Sequence, residues 1–227
     1  ASASTRRGMP PPLPCLRAVW ALRARLRPDP RCCKRPCAEI DAWTASLGES
    51  SVGPVAAEAA DDVNLYNGKV AVYEWNATVW SKLGEDVEGE GMLHYAGKGL
   101  SLSQDGSRMA VGMPGADKDS SITDIGLVRV YDWNATAAAW EQVGGDVWGV
   151  AVEDQFGQSV SLSGDGSRFA AGGHLNDNGG DDHVGHARVY HYDAEHDAWI
   201  AIGTVADGTS LDGEAGGDHS GFCVSLS

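Results

Sequence analysis

The sequence has little that would build a helix, a membrane span or a known catalytic motif. From Asp62 onward no run keeps a 3.6-residue apolar period for three turns, so helices are not expected there. Leu13 to Leu26 is too short to cross a bilayer, and Arg17, Arg23 and Arg25 interrupt it. The same charges argue against a secretion signal, whose apolar core is uncharged. Cysteine nearly disappears after residue 37, where only Cys223 remains, read as a small buried strand residue. Beyond residue 37 there are eight basic side chains against 31 acidic ones, a net charge of −23. Such a region repels nucleic acid and anionic lipid, so neither is expected as a partner. There is no Gly-x-Ser-x-Gly elbow, no phosphate loop and no His-Glu-x-x-His, which argues against an enzyme.

The first 37 residues have the opposite balance. They hold nine Lys/Arg against one acid, Asp29, with seven of the nine prolines and four of the five cysteines. A Pro- and Arg-rich segment buries too little apolar surface to fold alone. With the small-residue stretch that follows, residues 1–61 read as a disordered basic tail; a transit-like presequence or an erroneous gene start would look similar. Cys32, Cys33 and Cys37 have no second pair at metal spacing and no His nearby, so zinc is not expected.

Beyond the tail the chain repeats itself. Val160-Ser161-Leu162-Ser163-Gly164-Asp165-Gly166-Ser167-Arg168 echoes Leu100-Ser101-Leu102-Ser103-Gln104-Asp105-Gly106-Ser107-Arg108, and Val224-Ser225-Leu226-Ser227 begins the phrase again. A second phrase, Gly68 to Trp75, recurs as Gly126 to Trp133 and Gly185 to Tyr192. Such a unit buries its faces against copies of itself. Each copy reads as four strands: Gln158–Ser163, Arg168–Gly172, Ala187–Tyr192 and Ala198–Gly203, with an Asp-Gly hairpin turn after the first. The first two strands use Ser, Ala and Gly; the last two carry Tyr and Trp. A sheet slim at one edge and bulky at the other is a wedge, and wedges packed around an axis make a β-propeller. The expected fold is therefore all-β, with propeller blades of four antiparallel strands. Residues 62–227 form the repeat region: 62–90 the outer half of one blade, 97–149 and 157–208 two whole blades, and 221–227 the start of another. On this reading the chain is a piece of a longer repeat protein.

Phe156-Gly157-Gln158-Ser159-Val160 with its Gly-Asp-Gly turn, Gly112-Met113-Pro114, and Gly126-x-Val128-x-Val130-Tyr131 together resemble FG-GAP repeats. The resemblance covers about residues 62–227. It implies the β-propeller of integrin α-chains and other extracellular proteins. Family members often carry an Asp-x-Asp-x-Asp-Gly calcium loop between the first two strands. Here it has shrunk to single-carboxylate turns at Asp105 and Asp165, too few oxygens for calcium. Gly112-Met113-Pro114 becomes Gly172-Gly173-His174, and Phe156-Gly157 becomes Gly97-Lys98 and Gly221-Phe222. The Ser-x-Asp-Gly-Ser-Arg turn is also similar to that of periplasmic Tol-type and WD-like propellers.

Two acidic loops are the candidate calcium sites: Asp117, Asp119 and Asp124 (with Ser121), and Asp177, Asp181 and Asp182 (with Asn178). Alternating Asp, Asn and Ser oxygens can wrap a hard cation. They are also ordinary loop vocabulary, and the solvated-loop reading is preferred. No other cofactor is expected. His183, His186 and His191 are close in sequence, but nothing places them on one side, so they read as a chance cluster. Asn76-Ala77-Thr78 and Asn134-Ala135-Thr136 are glycosylation sequons at equivalent turns, or simply Asn-led turns. Arg108, Arg129, Arg168 and Arg188 recur by repeat and read as structural, paired to turn carboxylates or carbonyls.

The expected function is a non-catalytic interaction or adhesion platform, extracellular or at the cell surface, binding a protein or glycan. The alternative is part of a propeller enzyme, a polysaccharide lyase or hydrolase. That would need His or carboxylates converging in only one or two repeats.

Overall fold

The computed structural model describes residues 55–60, 66–177, 180, 183–203 and 211–227. The tail to residue 54, with its cysteines, lies outside the described residues. So do Asn178, Asp181 and Asp182. None of the described residues is helical, and no described helix is long and apolar enough to cross a membrane.

Three antiparallel sheets follow one another along the chain. Sheet one holds β1 (Val55–Ala60), β2 (Lys69–Trp75), β3 (Trp80–Lys82) and β4 (Val87–Glu88). Sheet two holds β5 (Leu100–Leu102), β6 (Arg108–Met113), β7 (Leu127–Asn134), β8 (Ala139–Gln142) and β9 (Val147–Trp148). Sheet three holds β10 (Ser159–Leu162), β11 (Arg168–Gly173), β12 (His186–Asp193), β13 (Ala198–Ile202) and β14 (Leu211–Asp212).

Two features differ from the sequence reading. The first sheet begins before Asp62, because β1 pairs with β2 along its whole length, Val55 opposite Glu74 to Ala60 opposite Lys69. Val-Ala-Ala-Glu-Ala-Ala carries no Tyr, Trp or Asp-Gly turn, so its sequence does not mark it as a strand. Second, the outer strand is broken in two. β8 pairs with the end of β7 and β9 with its start, and the same holds for β13 and β14 on β12. A glycine at positive φ, Gly84, Gly144 or Gly203, stands after the first piece in each copy.

Alternation puts one set of side chains on each sheet face. Ala110, Val128 and Val130 of sheet two pack with Phe156, Phe169, Tyr190 and Trp199 of the third repeat. Met109, Val111, Leu127 and Tyr131, on the opposite face, pack with Val70 and Val72 of sheet one. The sheets therefore stack face to face, sharing two cores.

Aromatic side chains clamp the outer strands. Trp140 Nε1 donates to the Leu83 carbonyl (3.0 Å), and Trp199 Nε1 to the Val143 carbonyl (3.0 Å). Each tryptophan reaches back to the preceding sheet at the residue before its glycine. A Cβ on Gly144 would stand 2.7 Å from the Trp199 ring, so the glycine makes the seat.

Candidate functional site

The Asp-Gly turns are closed by their own hydroxyls. Asp165 Oδ1 accepts from Ser163 Oγ (2.6 Å), Ser167 N (2.9 Å) and Ser167 Oγ (2.8 Å). The Ser163 bond, with those from Ser167, pulls the Asp165 carboxyl down to about 2. Asp105 repeats this with Ser103 and Ser107. Burial alone would push Asp105 up, but the serine hydrogen bonds outweigh it and hold the carboxyl below its ordinary value. Arg108 then ties repeat to repeat. It binds Asp132 with two bonds, donates to the Gly166 carbonyl of the next turn (2.9 Å), and lies over the Tyr192 ring (4.9 Å to its centre). Arg129 pairs with Asp146 and Glu90, and Arg188 with Asp212. Arg168 stands exposed, opposite His191 where Arg108 has Asp132.

The loops between second and third strands use their carboxylates locally. Asp117 Oδ1 accepts from Asp124 N (2.8 Å), while Asp119 Oδ1 accepts from Ser121 N and Oγ (2.8 and 2.6 Å). Asp177 Oδ1 accepts from His183 N (2.9 Å). Burial, with Asp117 and Glu153 nearby, pushes the Asp124 carboxyl up. Among the described residues no group of three or more His, Cys, Asp or Glu is arranged to hold a metal.

At the sequons the asparagines cap their turns. Asn76 Oδ1 accepts from Thr78 N and Val79 N, and Asn134 Oδ1 from Thr136 N and Ala137 N. Asn134 Nδ2 also donates to Glu141 (3.0 Å). Asp193 does the same capping in the third repeat without a sequon.

One end of the array carries the variation. In each repeat two residues with φ between 49° and 56° face each other at equivalent places: Tyr66 and Tyr95, Asp124 and Gln155, His183 and His219. The backbone frame is constant. Tyr95 N donates to Tyr66 O (3.0 Å), Gln155 N to Asp124 O (2.9 Å) and His219 N to His183 O (3.1 Å). The side chains on it are two phenols, then an acid and an amide, then two imidazoles. Beside them Met92, Leu93, Val150 and Val152 are exposed.

The third copy also changes inside. His186 Nε2 lies 3.0 Å from Asp154 Oδ1, and both side chains are fully buried. The approach is off the direction of a hydrogen bond, and among the described residues His186 Nδ1 has no hydrogen-bond partner. Asp154 Oδ2 accepts from Val150 N (2.8 Å). In sheet two the facing positions are Met113 and Leu127; here they are Gly173 and His186. A Cβ on Gly173 would stand 2.2 Å from Asp154 Oδ1, so the missing side chain is what admits the pair. Outside it His174 meets His219 (rings 6.0 Å apart) and Phe222 (5.1 Å), and His183 stacks on His219 (5.4 Å). Burial, with His219 and His183 adding to it, pushes the His174 imidazole down to about 4.

The histidines grouped by sequence thus divide. His186 is buried with Asp154, His183 joins His174 and His219, and His191 lies on the strand opposite Arg168. His174 and His219 were missed. Aligning the copies would have found them, since they stand where Pro114 and Gln155 stand one repeat earlier. No protein-family model matches this chain, and no curated protein matches it.

Proposed function

We propose that the three sheets are blades of a β-propeller, and that the chain is a non-catalytic binding platform of the adhesion type, acting outside the cell. One observation carries this reading: a constant backbone frame with different side chains at Tyr66/Tyr95, Asp124/Gln155 and His183/His219. Folding explains the frame but not the variation, which is how a repeat scaffold presents a recognition surface. The FG-GAP resemblance favours a protein or glycan ligand, with glycans on Asn76 and Asn134 belonging to the same reading. The test is a panel of extracellular-matrix proteins and glycans, probed with the chain and with a Tyr66→Asn, Asp124→Asn, His183→Asn variant. Asparagine tolerates the left-handed backbone, so the frame survives. A ligand bound by the parent and lost by the equally stable variant is expected. No ligand, or one retained by the variant, would overturn the platform.

A second reading has its own observation. Asp154, His186, His174, His183 and His219 gather in one repeat only, the arrangement a propeller lyase or hydrolase needs. Cleavage of an acidic or neutral polysaccharide, abolished by His174→Ala, would favour it over the platform.

A further inference from the structure

The third repeat gathers imidazoles at the varied end of its sheet. His183 and His219 are stacked with ring centres 5.4 Å apart, and the His174 ring centre stands 6.0 Å from that of His219. They come from separate segments that main-chain bonds hold together. His219 N donates to His183 O (3.1 Å), Ser220 N to Val184 O (3.0 Å) and Gly185 N to Asn176 O (2.8 Å). The second copy has Pro114, Asp124 and Gln155 at the same places, with no imidazole among them. The fold of the repeat therefore does not call for these histidines.

Their chemistry is that of a metal ligand set. Zinc binds imidazole nitrogen at about 2.0–2.1 Å, which puts each ring centre about 3.2 Å from the ion. Two such rings at a tetrahedral angle have centres about 5.2 Å apart. The observed 5.4 and 6.0 Å are close to that spacing. His219 Nδ1 lies 3.2 Å from the His174 carbonyl. A carbonyl only accepts, so Nδ1 carries the proton and Nε2 keeps a free lone pair. Metal-binding histidines are commonly oriented in this way, by an acceptor on the nitrogen turned away from the ion. His174 is 8% exposed, and among the described residues its Nδ1 has no hydrogen-bond partner. The buried Asp154 carboxylate is near enough to favour positive charge at His174.

We propose that His174, His183 and His219 bind one divalent transition-metal ion, with zinc as the type. Imidazole suits zinc, nickel and copper, whereas calcium takes oxygen ligands. As they stand the rings do not surround a common point. His183 is exposed on a turn, and it completes the set by rotating about its side-chain bonds with its backbone in place. Three protein ligands leave a position open for water or a ligand oxygen. A further repeat behind sheet three would leave the site accessible, because Asp124 and Gln155 stay partly exposed with sheet three behind them. The site holds whether this end of the array is a platform or a catalytic centre.

The full chain is stripped of metal, its thiols are capped so that the cysteines cannot bind, and zinc is titrated in by calorimetry. One ion per chain and a raised melting temperature are expected. Ring-proton resonances identify the ligands: those of His174, His183 and His219 should move with zinc, and those of His191 and His196 should not. His183→Asn and His219→Gln keep the backbone frame. Asparagine tolerates a left-handed backbone, and Gln155 holds the same conformation in the second copy. Each substitution should weaken zinc binding at least about tenfold with an unchanged circular dichroism spectrum, while His196→Gln leaves binding unchanged. No heat and no thermal shift in excess zinc would overturn the site. Binding that survives both substitutions, or that moves other histidines instead, would overturn it too.

Discussion

Arg108 holds Asp132 with two parallel bonds, Nε to Oδ1 at 2.6 Å and Nη2 to Oδ2 at 2.7 Å. Its third nitrogen, Nη1, crosses to the Gly166 carbonyl in the turn of the next sheet. One side chain therefore joins a strand, its neighbour and the following repeat. Lysine has a single point charge and cannot make three planar contacts. Arg108→Lys should lower stability by about 2 kcal/mol, read as a lower urea midpoint at unchanged slope. An unchanged midpoint would mean that the inter-sheet bond contributes nothing.

The tryptophan seats should be more costly to disturb. Trp199 is 8% exposed and touches Phe169, Tyr192 and the Val143 carbonyl. Trp199→Ala should cost about 3–5 kcal/mol. Gly144→Ala should also destabilise, because it combines a left-handed backbone with a Cβ against the ring. If Gly144→Ala melts with the parent, the seat is looser than described.

Much of this architecture was legible in the sequence, for identifiable reasons. Strands β10 to β13 follow from period-two alternation and from the Asp165-Gly166 turn, whose geometry is local. Recurrence also places Trp75, Tyr131, Trp133, Trp140, Tyr190 and Trp199 between sheets, because a repeated bulky residue needs a repeated seat. Tyr131, Tyr190 and Trp199 are buried, Trp133 and Trp140 lie against Leu83-Gly84, and Trp75 packs on Trp80 with no described sheet before it. β1 was not legible: alanines take any structure, and only pairing with β2 makes them a strand. The Asp154–His186 pair was not legible either. The two residues are far apart in sequence, and what brings them together is a small residue, Gly173, on a third segment.

Acid should act on the third repeat through His174. Its folded pKa, about 4, lies below the ordinary histidine value of about 6.5. The unfolded chain therefore binds more protons between these values, and stability rises with pH across that window. It is complete above about 6.5 and is lost as pH falls toward 4. His174→Gln should flatten the melting temperature against pH between these limits. Asp165 acts lower: its carboxyl, held at about 2, contributes stability above the unfolded value of about 3.9 that is lost as pH falls through 2. Asp165→Asn should flatten only that lower limb. A parent whose melting temperature is level from pH 7 to 4 would contradict the buried state of His174.

The Asp154–His186 pair sits where the second repeat has His94 beside the apolar Met113 and Leu127, and that comparison suggests the most decisive exchange. Removing one member of a buried pair strands the other, so Asp154→Ala should cost about 3–5 kcal/mol. It also takes the acceptor from Val150 N. Replacing the whole set is different. Asp154→His, Gly173→Met and His186→Leu together install the side chains of His94, Met113 and Leu127, the residues the second copy has at these positions. Two of the three incoming side chains, those of Met113 and Leu127, are core residues of the second copy, and its histidine at the third position is already accommodated beside them. Exchanging a buried polar pair for a set packed in this way is commonly neutral or stabilising. The triple variant should therefore unfold at or above the parent's urea midpoint, while each single change unfolds below it. A gain in stability would mean that folding does not require the pair, and that its place beside His174 serves recognition or chemistry at that end of the sheet. A triple variant clearly weaker than the parent would instead make Asp154 and His186 a structural adaptation of the third copy.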